Sequence, residues 1–410
     1  MNILYFHQHF STPKGSSGIR SYQMAQRLIY YKHNVTIVCG SYKGAETGLK
    51  KPYVDGKREG YVDGIRIIEF NLSYSNSDNF AKRVITFLKY TIRSIKLIFT
   101  EKYDLVFATS TPLTAGIPGI IARWFRGKLF VFEVRDLWPE LPKEMGIIRN
   151  RFVLNILFLL EFILYKSANR CIGLSPGIVD GILKAGIKRD KVIMIPNGCD
   201  LSIFSAQIKS WYPDGINKND LLAVFSGTHG VANGLESLLD AATELQKRDR
   251  ADIKLVLIGQ GKLKPDLQKK ALDLDLDNII FLEPVNKKLL AGLFKRADLG
   301  IQVLANIPAF YYGTSPNKFF DYISAGLPVI NNYPGWISEM IRDNQCGFVV
   351  EADDPAAFAD ALELAADSLE DLKIMGDNAK KLAIKRFNRI PLADEWVEWV
   401  VKGRLLKEGN

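Results

Sequence analysis

The chain has 410 residues, of which 47% are hydrophobic and 24% are charged. This composition is typical of a soluble globular protein of two or three domains and excludes a disordered or collagen-like chain. The formal charge of +9 is uneven, because residues 1–200 hold 29 Lys and Arg against 16 Asp and Glu, so this half indicates an anionic partner.

In chain order, short β-branched runs alternate with amphipathic stretches that have helical periodicity. The first seven predicted strands are residues 2–7, 34–39, 65–70, 104–109, 128–134, 170–174 and 191–195. Residues 196–219 are rich in Pro, Gly and Asn and predict a linker. Six further strands are predicted at residues 222–226, 254–258, 279–282, 299–304, 328–331 and 347–350.

This alternation predicts an α/β protein with two doubly wound Rossmann-like domains in tandem. We place the first domain at residues 1–205 and the second at 206–385, with a C-terminal helix, 386–410, that packs back on the first. In such sheets ligands bind at the carboxyl ends of the strands. Two facing domains would therefore put the site in a central cleft.

In each domain, one loop of small residues follows the first strand and precedes a helix. The first is residues 13–18, with Ser17 and Gly18 as candidates, and the second is residues 226–230, with Gly227, Thr228 and His229. Backbone N–H groups in such a loop are able to close on a phosphate or a sugar hydroxyl. A tight strand-to-helix turn would account for each loop equally well. The recurrence of the loop at equivalent places in both domains favours binding.

The segment from Thr314 to Ile330 predicts a polar loop that opens a short helix. Ser315, Asn317 and Lys318 lie at its start, where free N–H groups and a cation would hold a diphosphate. Asp321 follows three residues later on the same edge, where its carboxylate would accept two ribose hydroxyls. The alternative is an exposed Lys/Asp pair on a surface helix.

Taken with four other motifs, this segment closely resembles the family-four retaining glycosyltransferases of GT-B fold. The four motifs are Pro196-Asn197-Gly198-Cys199-Asp200, Leu257-Ile258-Gly259-Gln260-Gly261, Asp136-Leu137-Trp138-Pro139-Glu140 and Met375-Gly376-Asp377-Asn378-Ala379. Within that family, the combination of Asp-Leu-Trp-Pro-Glu with Ser-Pro-Asn-Lys-Phe-Phe-Asp-Tyr is similar to bacterial transferases that build O-antigen, capsule or exopolysaccharide units.

The resemblance implies that the second domain binds a nucleotide sugar, with UDP as the expected nucleotide, and that neither a metal nor another cofactor is needed. Asp321 matches the family's ribose-binding acidic residue, whereas the other acidic position of that motif falls at Gly313. The Arg and Lys that grip the diphosphate in relatives fall near Thr228 and at Asn233. His229 and Lys318 are the expected substitutes.

In the first domain the resemblance implies binding of the acceptor, a lipid-linked saccharide. Many relatives have His-Asp where this chain has Arg135-Asp136, which leaves Asp136 as the expected catalytic carboxylate. Ser17, Arg135 and Glu140 complete the acceptor side. His7 and His9 have the spacing of a metal pair on a strand, but no third ligand follows with suitable spacing, so we expect no metal site.

A basic amphipathic helix is predicted from residue 81 to 99. Lys82, Lys89, Arg93 and Lys96 fall within an arc of about 60° at 100° per residue. This face either is solvated or lies against anionic lipid headgroups. Nucleic acid is disfavoured because the sequence has no RNA-binding or helix-turn-helix motif.

The four scattered cysteines and the lack of a signal-peptide pattern favour the cytoplasm, with peripheral attachment to the inner face of the cell membrane. The longest apolar run, residues 152–165, is too short to span a bilayer and contains Glu161. We predict that it forms a helix buried in a large core.

The expected function is metal-independent, retaining transfer of a sugar from a nucleotide diphosphate to a lipid-linked saccharide in surface polysaccharide biosynthesis. Two alternatives stay open. A nucleotide-sugar epimerase of the same fold would release a free epimerised sugar without an acceptor. A scaffold that only binds lipid or nucleotide is suggested by the residues present at Gly313 and Asn233.

Overall fold

A computed structural model describes residues 1–403 except 16–17, 43, 76–77 and 205–206. The chain divides into two compact units. Unit 1 comprises residues 1–196, residues 313–315 and the chain from residue 390 on, and unit 2 comprises residues 197–312 and 316–389.

Unit 1 is built on an eight-stranded sheet in the order β3-β4-β2-β1-β5-β6-β7-β8. The strands are β1 (Asn2–Phe6), β2 (Asn34–Tyr42), β3 (Lys57–Val62), β4 (Ile65–Tyr74), β5 (Leu105–Thr109), β6 (Leu129–Val134), β7 (Arg170–Gly173) and β8 (Val192–Met194). All neighbours are parallel except β3 and β4. Apolar side chains of the inner strands form one buried core.

Six helices of unit 1 connect these strands. They are α1 (Arg20–Tyr30), α2 (Phe80–Thr100), α3 (Ile117–Arg126), α4 (Glu140–Glu144), α5 (Arg151–Ser167) and α6 (Pro176–Lys184). Asn79, Asn150 and Ser175 cap α2, α5 and α6 by accepting backbone N–H bonds from the first turn. Because all strands except β3 run parallel, their carboxyl ends and the loops that follow them lie at one edge of the sheet.

Unit 2 has a six-stranded, all-parallel sheet in the order β11-β10-β9-β12-β13-β14. The strands are β9 (Leu221–Ser226), β10 (Ile253–Ile258), β11 (Ile279–Leu282), β12 (Leu299–Gln302), β13 (Val329–Asn331) and β14 (Gly347–Val349). The helices are α7 (Glu236–Lys247), α8 (Lys264–Asp273), α9 (Lys287–Arg296), α10 (Ala309–Gly313), α11 (Asn317–Ala325), α12 (Trp336–Asp343), α13 (Pro355–Asp367) and α14 (Leu369–Arg386).

The last helix, α15 (Arg389–Lys402), returns the chain to unit 1. Trp396 is fully buried there, and its indole Nε1 donates to Glu133 Oε2 at 3.2 Å. Arg20 donates to the same carboxylate at 2.9 Å and to the carbonyl oxygens of Ile195 and Pro196. This buried ion pair ties α1, β6 and α15 together within unit 1.

The prediction of two parallel α/β sheets of GT-B type is confirmed, and all thirteen predicted strands are present. The sequence prediction missed β3, an antiparallel edge strand with mostly polar or exposed residues. Its turn to β4 carries Asp63 and Gly64, both at positive φ (50° and 82°), which is the geometry of a type I′ hairpin. The Asp63-Gly64 pair is typical of such turns and was the sequence signal that could have predicted this hairpin.

The prediction that the apolar helix 152–165 is buried was wrong. On α5 the side chains of Phe152 and Leu159 are 72% and 58% exposed, and four other large apolar side chains are more than a third exposed. Within the described residues, no helix is both long enough and apolar enough to cross a membrane.

Candidate functional site

The loops after β9 and β10 in unit 2 are joined by backbone hydrogen bonds. Gly227 N–H donates to Ile258 O, and His229 N–H donates to Gln260 O, both at 3.0 Å. A Cβ at Gly259 would lie 1.8 Å from Gly227 O, and that glycine has φ +154°. Glycine is required for this close approach, so the predicted loop 226–230 and the Leu257–Gly261 motif form one hydrogen-bonded edge of unit 2.

Lys264, at the first position of α8, holds this edge in place through hydrogen bonds. Its buried Nζ donates to Gly259 O at 3.0 Å, to Leu282 O at 2.9 Å and to Glu283 Oε1 at 2.7 Å. The loops after β10 and β11 are thus held by a single ammonium group. Sequence reasoning missed this residue, because nothing in its local pattern distinguishes it from a surface lysine.

Lys318 reaches this edge from α11. Its Nζ donates to Asn233 Oδ1 at 2.6 Å, and Asn233 Nδ2 donates to Thr228 O at 2.7 Å. The ammonium also lies 4.7 Å from the ring centroid of Phe225, a favourable cation–π distance. Four predicted donor-site residues are therefore brought together: Gly227, Thr228, Asn233 and Lys318.

The ammonium of Lys318 thus lies against the Asn233 amide, at the position where the resemblance expects a basic residue. Burial lowers the pKa of Lys318 to about 7. An anion placed beside this group would restore its charge. The arrangement is chemically suited to a diphosphate.

Tyr322 fixes α11 against the sheet. Its hydroxyl accepts from Ser226 N–H at 2.9 Å and donates to Ile301 O at 3.1 Å. Its ring packs on Gly300, where a Cβ would lie 2.3 Å from the ring. Asn317 is the first residue of α11, and Ser315 precedes it by two positions; both are half-buried.

Asp321 lies one turn into α11, but its carboxylate already has a partner. Lys287 Nζ is 2.5 Å from both carboxylate oxygens, and both side chains are largely buried. Burial raises the pKa of Asp321, and the Lys287 charge opposes that rise. Sequence reasoning missed Lys287, which is adjacent to Lys288 and has no distinguishing signal.

The Pro-Asn-Gly-Cys-Asp motif is structural in unit 2. Arg389 donates to Asp200 Oδ1 at 2.5 Å and also to the carbonyl of Gly198. Cys199 N–H donates to Phe387 O at 2.6 Å. These contacts tie the start of unit 2, predicted as a linker, to the junction between α14 and α15.

His229 is unsuited to the cationic role expected from the sequence. Its side chain is fully buried, neither ring nitrogen has a hydrogen-bond partner among the described residues, and its ring lies near Phe225 and Phe281. Burial, aided by the Lys264 charge, lowers its pKa to about 4. The imidazole is therefore neutral at pH 7, and Lys318 is left as the cation.

Gly313 ends α10 and is half-buried. A Cβ at this position would contact nothing within 4 Å. Packing against a Cβ therefore does not require a glycine here.

In unit 1, predicted acceptor-side residues gather at the carboxyl edge of the sheet. Thr111 Oγ1 donates to Asp136 Oδ2 at 3.1 Å, and Arg135 N–H donates to Ser110 Oγ at 2.9 Å. Burial raises the pKa of Asp136, opposed by the Arg135 charge. The half-buried carboxylate with a raised pKa is suited to accept a proton.

The remaining acceptor-side residues are less engaged. Glu140 is exposed at the first position of α4. Gly18, which was predicted to bind the donor, is exposed two residues before α1. Ser17 lies outside the described residues.

The two histidines after β1 have separate partners. His7 Nε2 lies 3.3 Å from Arg135 Nη1, whereas the His9 ring packs 4.5 Å from that of Tyr74. Burial lowers the pKa of His9 to about 3. The described part of the chain holds no group of three or more His, Cys, Asp or Glu able to bind a metal ion.

The basic stripe of α2 is interrupted. Lys82 pairs with Asp78 at 2.7 Å. Arg93 is half-buried and donates to Gly56 O at 2.8 Å. Lys89 and Lys96 are exposed, so only two of the four predicted lysine and arginine side chains face solvent without such a contact.

Two family models match the chain in tandem. Residues 18–203 match the family described as Glycosyltransferase Family 4, and residues 212–382 match the family described as Glycosyl transferases group 1. A curated relative, D-inositol 3-phosphate glycosyltransferase of Paenarthrobacter aurescens, is 27% identical over 223 residues, covering 51% of this chain and 52% of that protein. The chain spans about half the length of the curated relatives it matches. These matches support a transferase enzyme.

Solved structures show the same fold. Sucrose-phosphate synthase from Thermosynechococcus elongatus has a TM-score of 0.74 at 15% identity, with 97% of each chain covered. Anabaena HepE in complex with UDP-glucose has a TM-score of 0.66 at 16% identity, with 98% of this chain and all of that chain covered. At such identities the likeness establishes the GT-B fold alone.

Proposed function

We propose that this chain, whose two halves each match a glycosyltransferase family model, is a retaining glycosyltransferase that uses a nucleotide-diphosphate sugar. UDP is the expected nucleotide and a lipid-linked saccharide the expected acceptor. Activity on nucleotide sugars is supported by the family models and by the glycosyltransferase relatives. A role in surface polysaccharide biosynthesis is supported by the resemblance of the Asp136–Glu140 and Ser315–Tyr322 motifs.

The observation that carries the proposal is the chain of contacts from Lys318 through Asn233 to Thr228. It places one cation, an amide and a glycine loop at the N-terminus of α11. The free N–H groups of that helix end attract negative charge. A diphosphate is the part of a nucleotide sugar that this combination recognises.

The same groups would promote the reaction. When the glycosidic bond to the diphosphate breaks, negative charge grows on the leaving oxygen. Lys318 and the N–H groups at the start of α11 interact more strongly with that charge than with the intact donor, which lowers the barrier. Asp321 accepts hydrogen bonds from the ribose hydroxyls when one of its carboxylate oxygens is released from the contact with Lys287.

On the acceptor side, Asp136 is the proposed carboxylate. The acceptor hydroxyl attacks the face of the sugar from which the diphosphate departs, and its proton passes to the leaving group or to Asp136. Positive charge is supplied by side chains and backbone in this scheme, so the reaction is proposed to need no metal. A lipid-linked acceptor places the enzyme at the inner face of the cell membrane, with Lys89 and Lys96 toward the headgroups.

The test is a donor screen with the full chain. UDP, GDP, CDP and dTDP sugars are each incubated with a bacterial membrane lipid extract, and the released nucleoside diphosphate is measured. We expect release from one nucleotide class, dependent on the extract and reduced in Lys318→Met. Release of an epimerised sugar without extract would favour an epimerase. Nucleotide binding without release from any donor would favour a scaffold.

A further inference from the structure

Unit 1 exposes an apolar surface formed by α5 and the end of α3. On α5 it consists of six large side chains that are 38–72% exposed: Phe152, Ile156, Phe158, Leu159, Phe162 and Ile163. On α3 it consists of Trp124 and Phe125, which are 69% and 77% exposed. Trp124 Nε1 donates to Ser167 Oγ at 2.9 Å, so the end of α3 lies against the end of α5.

The helix α2, which also packs against α3, carries further exposed apolar side chains. Ile85, Leu88, Ile92 and Phe99 of α2 are each about half exposed or more. With roughly 200 Å² per aromatic side chain, the five aromatic residues of α3 and α5 alone expose on the order of 600 Å². The largest apolar patch of a typical monomer is about 300–600 Å² and is often functional, so these five side chains alone reach the upper end of that range.

The charged side chains of α2, α3 and α5 are basic except for Glu161, and the exposed Glu140 of α4 lies near enough to interact with that carboxylate. Arg123 and Arg126 are exposed beside Trp124 and Phe125, Arg151 lies at the start of α5, and Lys89 and Lys96 lie along α2. Glu161, which α5 carries among its apolar residues, is half-buried and accepts from Tyr165 at 2.7 Å; burial raises its pKa to about 7. The surface therefore combines an apolar centre with a positive rim.

An apolar centre with a positive rim favours an anionic bilayer over a second copy of the chain as the partner of this surface. A two-fold contact with a second copy would place like patches, and their positive rims, opposite each other. An anionic bilayer instead offers an acyl layer for the apolar side chains and headgroups for the rim. Tryptophan is also typical of the boundary between headgroups and acyl chains.

We propose that the surface formed by α2, α3 and α5 inserts its apolar side chains into an anionic bilayer. This inference deepens the proposed function, since it places unit 1 at the membrane that would contain a lipid-linked acceptor. It differs from attachment by a basic stripe, because burial of apolar side chains resists salt whereas attraction between charges is screened.

The first test uses Trp124, the one of the six tryptophans that is exposed. Full-length protein is mixed with vesicles of phosphatidylglycerol and phosphatidylcholine whose acyl chains are brominated, and tryptophan fluorescence is recorded. We expect quenching that persists in 1 M salt and is lost in Trp124→Phe. Quenching that is absent, or that salt abolishes, overturns insertion.

The second test removes the apolar centre. Phe125→Ser, Phe152→Ser and Leu159→Ser are combined, and the matched control combines Leu272→Ser, Leu369→Ser and Ile374→Ser, which are 58–75% exposed in unit 2. Thermal melting establishes that both variants fold. We expect the vesicle partition coefficient in 1 M salt to fall at least about tenfold in the unit 1 variant only.

Equal binding of both variants to vesicles would overturn the proposal. So would a wild-type dimer in light scattering that the unit 1 substitutions dissociate, because a second copy would then occupy the surface. Neither readout requires donor or acceptor, so insertion is tested separately from sugar transfer. Insertion without transfer in the donor screen would retain the surface and contradict the proposed function.

Discussion

The low pKa of Lys318 predicts that donor binding takes up a proton. Burial holds this pKa at about 7, against an ordinary value of 10.5. A bound diphosphate stabilises the ammonium and raises its pKa again. At pH 8 about one molecule in ten carries the charge before binding, so the other nine must each gain a proton when the anion binds.

The magnitude follows from this protonation equilibrium. Between pH 7 and 9 the free protein is progressively neutral at Lys318, and the dissociation constant for UDP should rise about tenfold per pH unit above 7. The terminal phosphate titrates near pH 6, so about nine-tenths of it is fully charged at pH 7 and nearly all of it at pH 8. We therefore expect binding to be roughly five- to tenfold weaker at pH 8 than at pH 7.

Titration calorimetry in two buffers of different ionisation enthalpy measures the proton uptake directly. We expect about 0.9 proton at pH 8 and about 0.5 at pH 7. Lys318→Arg is the matched control, because a guanidinium stays charged and should show neither uptake nor pH dependence. Binding of UDP by wild type that is independent of pH, with no proton uptake, would refute the assignment of Lys318 to the diphosphate.

Three other substitutions test neighbouring groups. Lys287→Met leaves the buried Asp321 carboxylate without its partner and should lower the free energy of unfolding in urea by about 3–5 kcal/mol; a loss below about 1 kcal/mol would show that the pair is not maintained. His229 is neutral when folded down to about pH 4, whereas the unfolded chain protonates it below about 6.5, so stability should fall through this window as pH drops. In His229→Phe that fall should be about 3 kcal/mol smaller between pH 7 and 4 in urea titrations, and parallel curves would contradict the burial of a neutral imidazole. Asp136→Asn should lower turnover about a hundredfold while leaving the dissociation constant for UDP unchanged in calorimetry; unaltered turnover would remove Asp136 from the chemistry.

The sequence predicted the sheets well because buried parallel strands are continuous apolar runs, which periodicity detects. The strand β3 escaped because an edge strand with one solvated face resembles a polar loop. The prediction that α5 is buried was wrong because its residues are apolar although they are exposed to solvent. Its apolar run indicates burial against something, but a sequence does not say whether that is the protein's own core or another surface.

For the candidate site, the sequence singled out several side chains but did not predict their partners. The glycine loops and Lys318 were predicted because their local pattern carries the chemistry. Lys264 and Lys287 were missed because their contacts involve residues 19 and 34 positions away. The burial that makes His229 neutral is likewise a tertiary property. The hydrogen bond from Arg93 to Gly56 O, which turns Arg93 away from the basic stripe, is also a tertiary contact.

The most direct test of the central claim follows the sugar itself. The full chain is incubated with the donor identified by the screen, labelled in the sugar, and with bacterial membrane lipid extract, in the presence of EDTA. We expect the label to be found covalently bound in the lipid fraction, with the anomeric configuration of the donor retained. Label that stays in the aqueous fraction, as free sugar or as an epimerised nucleotide sugar, would contradict glycosyl transfer by this chain.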